Sequence, residues 1–426
     1  MKRLLSPMAA VPLLVGGLSL GASADDGFNI LNDFKFHGEI RPRYEYVDIE
    51  DNNKDAANAF TARTTLGVAA DLLQVEGLSA YLEGTSVNNF GYRDYDALGT
   101  GINSNPIYDV IKDPQQARFT QAYVDYKRNK TLFRAGRQLV NLDNQRFIGS
   151  VGWRQMFQTF DAVAVVDNSI ENLSLLGAYI YGINGIGEQQ EATDTGSVVL
   201  HASYKVMDEL SITAYDYMLA SVHDTYGLAL TGKVDAGAAK LEYRTEYARQ
   251  DDAMLQRRSE SGGTPTIGVD GKPEADAHYY NLDLGANISG ILVGIDYELL
   301  SGSNGSDGKT AFSTPLATLH GFNGWADVFL ATPQGGLIDK NVRLGYADKN
   351  FGKILAVYHQ FTADKKMAGK DDLGMETDIS YGNKIPNVKG LSALISGAWY
   401  KGGDATGFTN DKTVAWLMLD YKFTTK

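Results

Sequence analysis

The chain has no cysteine, which excludes disulfide scaffolds and thiolate metal sites and leaves no thiol to pair in an oxidising compartment. Proline is scarce, 10 in 426 residues, as long hydrogen-bonded strands require, because proline cannot donate to a ladder. No run of 18 apolar residues follows the N-terminal segment, so a helical membrane protein is excluded. Polybasic runs and an acidic tail are both missing. The acidity behind the formal net charge of -13 is spread along the chain and argues against nucleic acid as a partner. The six histidines, at 37, 201, 223, 278, 320 and 359, show no His-x-His or His-x-x-x-His spacing, so neither a metal nor another cofactor is expected. No Gly-x-Ser-x-Gly elbow appears, and no helical pattern follows Gly182, Gly185 and Gly187, so phosphate cradling and hydrolase chemistry lack support. Spacing leaves open only a dispersed Ser-His-Asn set of the barrel-lipase kind, and the expectation is a non-enzyme.

What is present points to export. Met1-Lys2-Arg3, an apolar stretch from Leu4 to Leu20 broken by Pro7 and Pro12, and Ala22-Ser23-Ala24 form the three parts of a secretory signal. Cleavage is expected after Ala24, so that residues 1–24 are the signal peptide and 25–426 the mature domain. Glycine at 46 and tyrosine at 24 residues suit aromatic-rich strands joined by turns.

The deciding signal is a period of two. Phe34, Phe36, Ile40, Tyr44 and Tyr46 alternate with Lys35, His37, Glu39, Arg41, Arg43 and Glu45. The pattern returns at Leu241, Tyr243, Thr245 and Tyr247 against Lys240, Glu242, Arg244 and Glu246. At the C-terminus Ala415, Leu417, Leu419, Tyr421 and Phe423 alternate with Trp416, Met418, Asp420 and Lys422. Soluble sandwiches use strands of about 5 to 6 residues, whereas these segments run to about 10 to 14, the length of a tilted strand crossing a bilayer. One face is then lipid and the other a wet lumen, and the sheet must close because hydrocarbon tolerates no unpaired backbone group.

The expected fold is therefore an all-β transmembrane antiparallel up-and-down barrel. Its strands fall at 34–47, 59–72, 77–87, 117–127, 131–139, 156–166, 172–184, 196–206, 210–220, 225–233, 238–249, 277–288, 291–301, 340–349, 353–363, 372–382, 391–401 and 412–423, eighteen in all. Sixteen is the alternative count, since alternation blurs at 210–220 and 225–233. Short turns such as Arg128-Asn129-Lys130 and Met207-Asp208-Glu209 alternate with long segments at 88–116, 140–155, 250–276 and 302–339, which puts the turns in the periplasm and the long loops outside. Tyr44, Tyr46, Tyr247, Tyr297, Trp399 and Tyr421 fit interfacial girdles. The terminal strand resembles the signal read by the barrel-assembly machinery, although Thr424-Thr425-Lys426 trails it. The outer membrane of a Gram-negative bacterium is the expected location, with lipid and lipopolysaccharide as surroundings.

Inward side chains are the functional candidates, because lumen charges set which solute enters. Basic ones gather early, at Lys35, Arg41, Arg43, Arg63, Lys127 and Arg134, and acidic ones late, at Asp283, Asp296, Glu298, Glu376, Asp378 and Asp420. Such segregation predicts a transverse field in an aqueous pore. Glu39 and Arg244 complete the lining set. The competing reading is that these charges pair across strands and only keep the interior wet.

A second constellation runs through Gly136-Arg137-Gln138, Leu142-Asp143-Asn144-Gln145-Arg146-Phe147, Gly152-Trp153-Arg154-Gln155 and Thr159-Phe160-Asp161. A loop this rich in Asp, Asn, Gln and Arg is suited to fold inward, where guanidinium forks hold carboxylates. Together with Thr314-Pro315-Leu316-Ala317-Thr318-Leu319-His320 and Phe322-Asn323-Gly324-Trp325-Ala326-Asp327, this series resembles the alginate export family of outer-membrane porins over most of the mature chain. The resemblance implies a monomeric 18-stranded barrel passing solute passively, an anionic uronate polymer in the named member. It carries over Arg137, Arg146, Arg154 and Asp161 as residues near the pore mouth. The exporter's lumen is arginine-rich, whereas the inward charges here are about as acidic as basic. His320, Trp325 and Asp327, in the longest external segment, are candidates for a constriction loop.

Three functions remain: a porin for hydrophilic, charged solutes, an exporter of an anionic polysaccharide, and a non-conducting structural or adhesive barrel.

Overall fold

The computed structural model describes residues 30–188, 192–255, 274–303 and 308–425. The expected signal segment 1–24 lies outside the described residues.

Eighteen antiparallel strands follow one another in chain order. The first nine are β1 (Leu31–Ile49), β2 (Ala57–Leu72), β3 (Leu78–Asn88), β4 (Gln116–Arg128), β5 (Thr131–Gln138), β6 (Thr159–Asp167), β7 (Leu173–Asn184), β8 (Thr193–Met207) and β9 (Leu210–Leu219). The rest are β10 (His223–Ala236), β11 (Ala239–Asp251), β12 (Asp276–Ile288), β13 (Ile291–Leu300), β14 (Leu337–Asp348), β15 (Gly352–Met367), β16 (Lys370–Lys384), β17 (Leu391–Lys401) and β18 (Lys412–Thr424). Each pairs with its neighbours in sequence, and β1 pairs with both β2 and β18, so the sheet is a closed ring without edges. The two strands of blurred alternation, β9 and β10, are both in the ring and pair from His223↔Leu219 to Thr231↔Ser211, which sets the count at 18 rather than 16.

Closure runs His37↔Thr424 to Ile49↔Lys412, and the trailing Thr425 joins it by donating its N–H to Phe36 O at 2.9 Å. Pro42 lies mid-strand in β1, and the ladder to β18 passes from Ile40↔Tyr421 to Arg43↔Met418, skipping Arg41 and Pro42. The ladder gives way where the ring nitrogen has no hydrogen to donate.

The alternation read from the sequence is the in-out alternation of the wall. Along β1, Glu39, Arg41, Arg43, Glu45 and Val47 are buried while Ile40 and Tyr44 are exposed. The outward face is apolar and bare, with Val342 54%, Ile295 54%, Ile395 57% and Leu417 55% exposed, a belt that only lipid can cover. Tyr44, Tyr247, Tyr297 and Trp399 are exposed on this surface, where the aromatic girdles were expected.

Most connections alternate, two or three residues at turns such as 129–130 and 349–351 against long segments at 89–115, 139–158 and 301–336, but the loop-end connections 220–222 and 368–369 are as short as turns because β9, β10, β15 and β16 extend to meet there. The interior is filled at the loop end, where Arg43, Arg146, Phe160, Tyr279, Phe312 and Phe361 are among the largest fully buried side chains. Lys35 and Lys127, near the short-turn end, stay exposed.

An arginine at a lipid-facing midpoint tests this placement. Val342→Arg is expected to lower stability by about 2–4 kcal/mol, read as the denaturant midpoint of the protein refolded into vesicles. An unchanged midpoint contradicts the outward assignment.

Candidate functional site: a lumen crossed by its own loop

The β5–β6 loop (139–158) leaves the wall and runs through the barrel. Such a segment carries carbonyls that no ladder satisfies, and a buried carbonyl without a donor costs about 1–3 kcal/mol. Arginines on β1 and β2 supply the donors. Arg41 pairs in register with Arg63, so two guanidinium groups sit side by side with Arg43 one inward position along. Arg41 donates to Gly152 O at 2.8 Å, Trp153 O at 3.0 Å and Arg154 O at 2.6 Å. Arg43 donates to Trp153 O at 2.7 Å, and Arg63 to Gly152 O at 3.3 Å and Arg154 O at 3.1 Å. Three successive carbonyls are thus held by three forks. Arg63 also lies 4.2 Å from the Phe157 ring centroid.

The charges of these forks are matched. Arg63 pairs with Glu39 at 2.8 Å, and Arg43 with Glu45 at 2.9 Å and with Asp113 of the 89–115 loop. Arg154 turns away from its own captured carbonyl to reach Glu45 at 3.0 Å and Asp327 of the β13–β14 loop at 3.0 Å. Four arginines, counting Arg41, face the four carboxylates of Glu39, Glu45, Asp113 and Asp327. Gln155 closes the set, donating its N–H to Asp113 Oδ1 at 2.8 Å and its side-chain amide to Thr61 Oγ1 at 2.9 Å. Trp153 stacks on His320 at 4.0 Å with planes 5° apart, Trp416 meets both edge-on, and His320 Nδ1 bonds Asp327 Oδ1 at 2.9 Å.

The other end of the loop is fixed on the opposite wall. Arg146 grips Glu298 of β13 through Nε at 2.7 Å and Nη2 at 3.0 Å, and donates to Asn323 Oδ1 at 3.0 Å. Glu298 also accepts from the Tyr279 hydroxyl at 2.7 Å and the Asn323 amide at 2.6 Å. Phe147 enters a ring cluster with Tyr215 at 5.4 Å, Tyr279 at 5.3 Å and Phe312 at 5.9 Å. In a ring of 18, β1 and β10 are diametrically opposed. A loop bound to β1–β2 at residues 152–155 and to β9–β13 at 146–147 therefore bridges the lumen.

The β13–β14 loop (301–336) docks with the reverse polarity. Its tip presents backbone N–H groups, and Asn323, Gly324 and Asp327 have positive φ of 56°, 84° and 55°, the curl that makes amides converge on an anion. Trp325 N–H donates to Asp378 Oδ2 at 3.2 Å and Ala326 N–H to Glu376 Oε1 at 2.7 Å. A Cβ at Gly324 would stand 2.5 Å from Glu376 Oε2, so only glycine fits. His359 sits between Asp339 at 2.9 Å and Asp378 at 3.5 Å. The two loops join where Ile148 bridges Leu316 and where Gly149 N–H donates to Leu316 O at 2.8 Å.

The remaining expected residues divide. Arg134 is inward but spoken for by Asp125, with Nε and Nη2 both at 2.7 Å. Arg244 pairs with Glu246 at 2.8 Å, Asp283 with Arg343, Asp296 with the Asn281 amide at 2.8 Å, and Asp420 with Lys422 at 3.1 Å. Arg137 and Asp161, expected in the pore, are on the outer face. They bond each other at 2.7 Å and 3.0 Å in the register row of Ala122 and the exposed Leu82. Arg134 and Arg137 are three positions apart, an odd spacing, so they point to opposite sides of one strand. The segregated charges are largely engaged with each other and with the loops rather than facing open water, which leaves little of the expected transverse field at the loop end. Asp113, Asp339 and His359 were not anticipated; His359 shares the inward parity of Val357 and Phe361, whereas Asp113 lies in a loop without periodicity. Among the described residues no group of three or more His, Cys, Asp and Glu side chains is placed to hold a metal.

The solved structures it resembles are Pseudomonas aeruginosa OccK9 (OpdG), with TM-score 0.71 and 15% identity over 92% of this chain and 99% of that one, and P. aeruginosa OccK8 (OprE), with TM-score 0.68 and 16% identity over 93% and 100%. The P. aeruginosa OpdK structure with vanillate gives TM-score 0.69 and 13% identity over 93% and 100%. The fold is that of the outer-membrane porins. No protein-family model and no curated protein matches the chain, so the resemblance to the alginate export family rests on the motif segments alone. Within the porin fold, most of those segments lie in the two loops that meet in the lumen, while residues 136–138 end β5 and residues 159–161 begin β6.

Burial alone would raise the Asp113 and Asp327 carboxyls, but Arg43 and Arg154 around Asp113, and His320 and Arg154 around Asp327, hold both below the usual carboxylate range. A depressed carboxyl stabilises the fold fully above its unfolded value and loses that contribution as pH falls through the folded one. Amide exchange of residues 139–158, corrected for its intrinsic pH dependence, should show equal protection at pH 7 and 5 and lose it only below about pH 4.

Proposed function

We propose that the protein is an outer-membrane channel for passive passage of hydrophilic, charged solutes, with a lumen of mixed charge narrowed by the 139–158 and 301–336 loops. The observation carrying this reading is the bridging loop itself. A barrel that served only as a wall or adhesin would have no need to spend three arginines of β1 and β2 on positioning a segment inside its bore. Export with cleavage after Ala24, insertion by the barrel-assembly machinery, a monomeric state and contact with lipopolysaccharide belong to the same proposal.

Passage of an anionic polysaccharide, as in the alginate export family, is the second reading. It is favoured by one feature, that the two motif segments clasp each other through Arg154 and Asp327 at 3.0 Å and through Arg146 and Asn323 at 3.0 Å. The OpdK structure with vanillate favours small solutes instead.

Planar-bilayer recording of the purified chain separates these readings from a non-conducting barrel. The wild type is expected to conduct. Arg41→Ala with Arg43→Ala is expected to raise single-channel conductance severalfold and to move the reversal potential in a salt gradient toward cations, because the bridging loop loses donors and the lumen loses positive charge. A correctly folded protein that never opens overturns the channel reading.

A further inference from the structure

Beneath the bridging loop, toward the short-turn end, the inner wall of β1–β4 holds a recess of about 380 Å³ lined by His37, Ser79, Tyr81, Gln121, Tyr123 and Asp125, within the usual range for small-molecule sites, about 300–1,000 Å³. None of these residues takes part in anchoring the loops. The recess is built around two aromatic faces. Tyr81 and Tyr123 are cross-strand partners, their centroids 5.4 Å apart at 40°, and His37 approaches Tyr81 edge-on at 5.9 Å.

Both rings are held in place by polar partners. The Tyr81 hydroxyl donates to Glu83 Oε2 at 2.8 Å, and Glu83 Oε1 accepts from Thr120 Oγ1 at 2.7 Å. The Tyr81 ring leans over Gly67, where a Cβ would stand 2.3 Å from its hydroxyl oxygen. One face of Tyr123 carries the Arg134 guanidinium 3.8 Å from its centroid, itself locked by the Asp125 fork, and the opposite face is left for a ligand. Fixed rings lose no rotamer freedom when something lies on them. Ser79, Gln121, Asp125 and His37 add hydroxyl, amide, carboxylate and imidazole groups around the faces, a mixture of donors and acceptors.

The geometry points to a saccharide subsite: Tyr81 and Tyr123 receive the C–H face of a pyranose ring, and the planar polar groups around them bond its hydroxyls. The C–H groups of a sugar face carry partial positive charge and sit on the negative face of an aromatic ring. A ring of this kind has hydroxyls on its rim and little apolar volume, which matches polar walls around an aromatic floor better than an aromatic acid does. The inference rests on the channel reading above and places a second selective point after the loop-narrowed section.

Two measurements test it. Maltotriose added to bilayers of the full-length mature protein is expected to interrupt the current, and Tyr81→Ala with Tyr123→Ala to shorten each interruption by about tenfold or more. Tyr81→Phe with Tyr123→Phe, which keeps the faces, is expected to retain most of the residence time. Interruptions unchanged in the alanine pair, or tyrosine-dependent interruptions by vanillate but not by maltotriose, overturn the subsite. If the wild type proves non-conducting, titration calorimetry of maltotriose into the detergent-solubilised protein decides independently. A Kd weakened about tenfold in the alanine pair supports the subsite, and no measurable heat with the wild type refutes it.

Discussion

An irregular chain segment inside a barrel must have its backbone polar groups satisfied by the wall, and this constraint organises the interior. The ladder consumes the groups of the strands, but residues 152–154 and 325–326 have none to consume theirs. The wall answers each with the complementary charge. Carbonyls of the 139–158 loop meet Arg41, Arg43 and Arg63, and amides of the 301–336 loop meet Glu376 and Asp378. The separation of basic residues early in the chain from acidic residues late in it follows from which loop each arc has to hold.

Burying that many charges is costly unless every one is paired and hydrogen-bonded. Pairing is therefore shared among loops rather than confined to one. Arg154 reaches from one loop to Glu45 on β1 and Asp327 on another, and Arg43 reaches Asp113 on a third. The arrangement couples the three loops, since displacing one removes an ion-pair partner from groups that face it. It also leaves the short-turn end comparatively open, where Lys35 and Lys127 stand exposed and the tyrosine recess lies.

Much of the wall was legible in the sequence because a period of two carries chemical contrast at every residue. Phe34 to Tyr46 fixes its own two faces without reference to any partner. Arg134 and Arg137 were legible in principle as well, as an odd spacing cannot place two side chains on one face, but the glycine-arginine motif drew attention to the mouth rather than to parity. The loops were legible only as chemistry. Arg146, Arg154, His320, Trp325 and Asp327 were singled out as candidates for the pore mouth or a constriction loop, and they meet wall and loop partners in the lumen. Nothing in their order revealed that Arg154 meets Asp327 or that the backbone of Gly-Trp-Arg, rather than its side chains, is what the lumen arginines hold. Long-range pairing of aperiodic segments leaves no local signature.

The account depends on guanidinium forks binding carbonyls, not on positive charge alone. Replacing Arg41, Arg43 and Arg63 together by lysine keeps every charge and removes the forks. Amide exchange over residues 150–156 in the refolded triple variant is the direct measurement: the account predicts that protection of this segment collapses while the strands stay protected, and protection equal to that of the unaltered protein would contradict it.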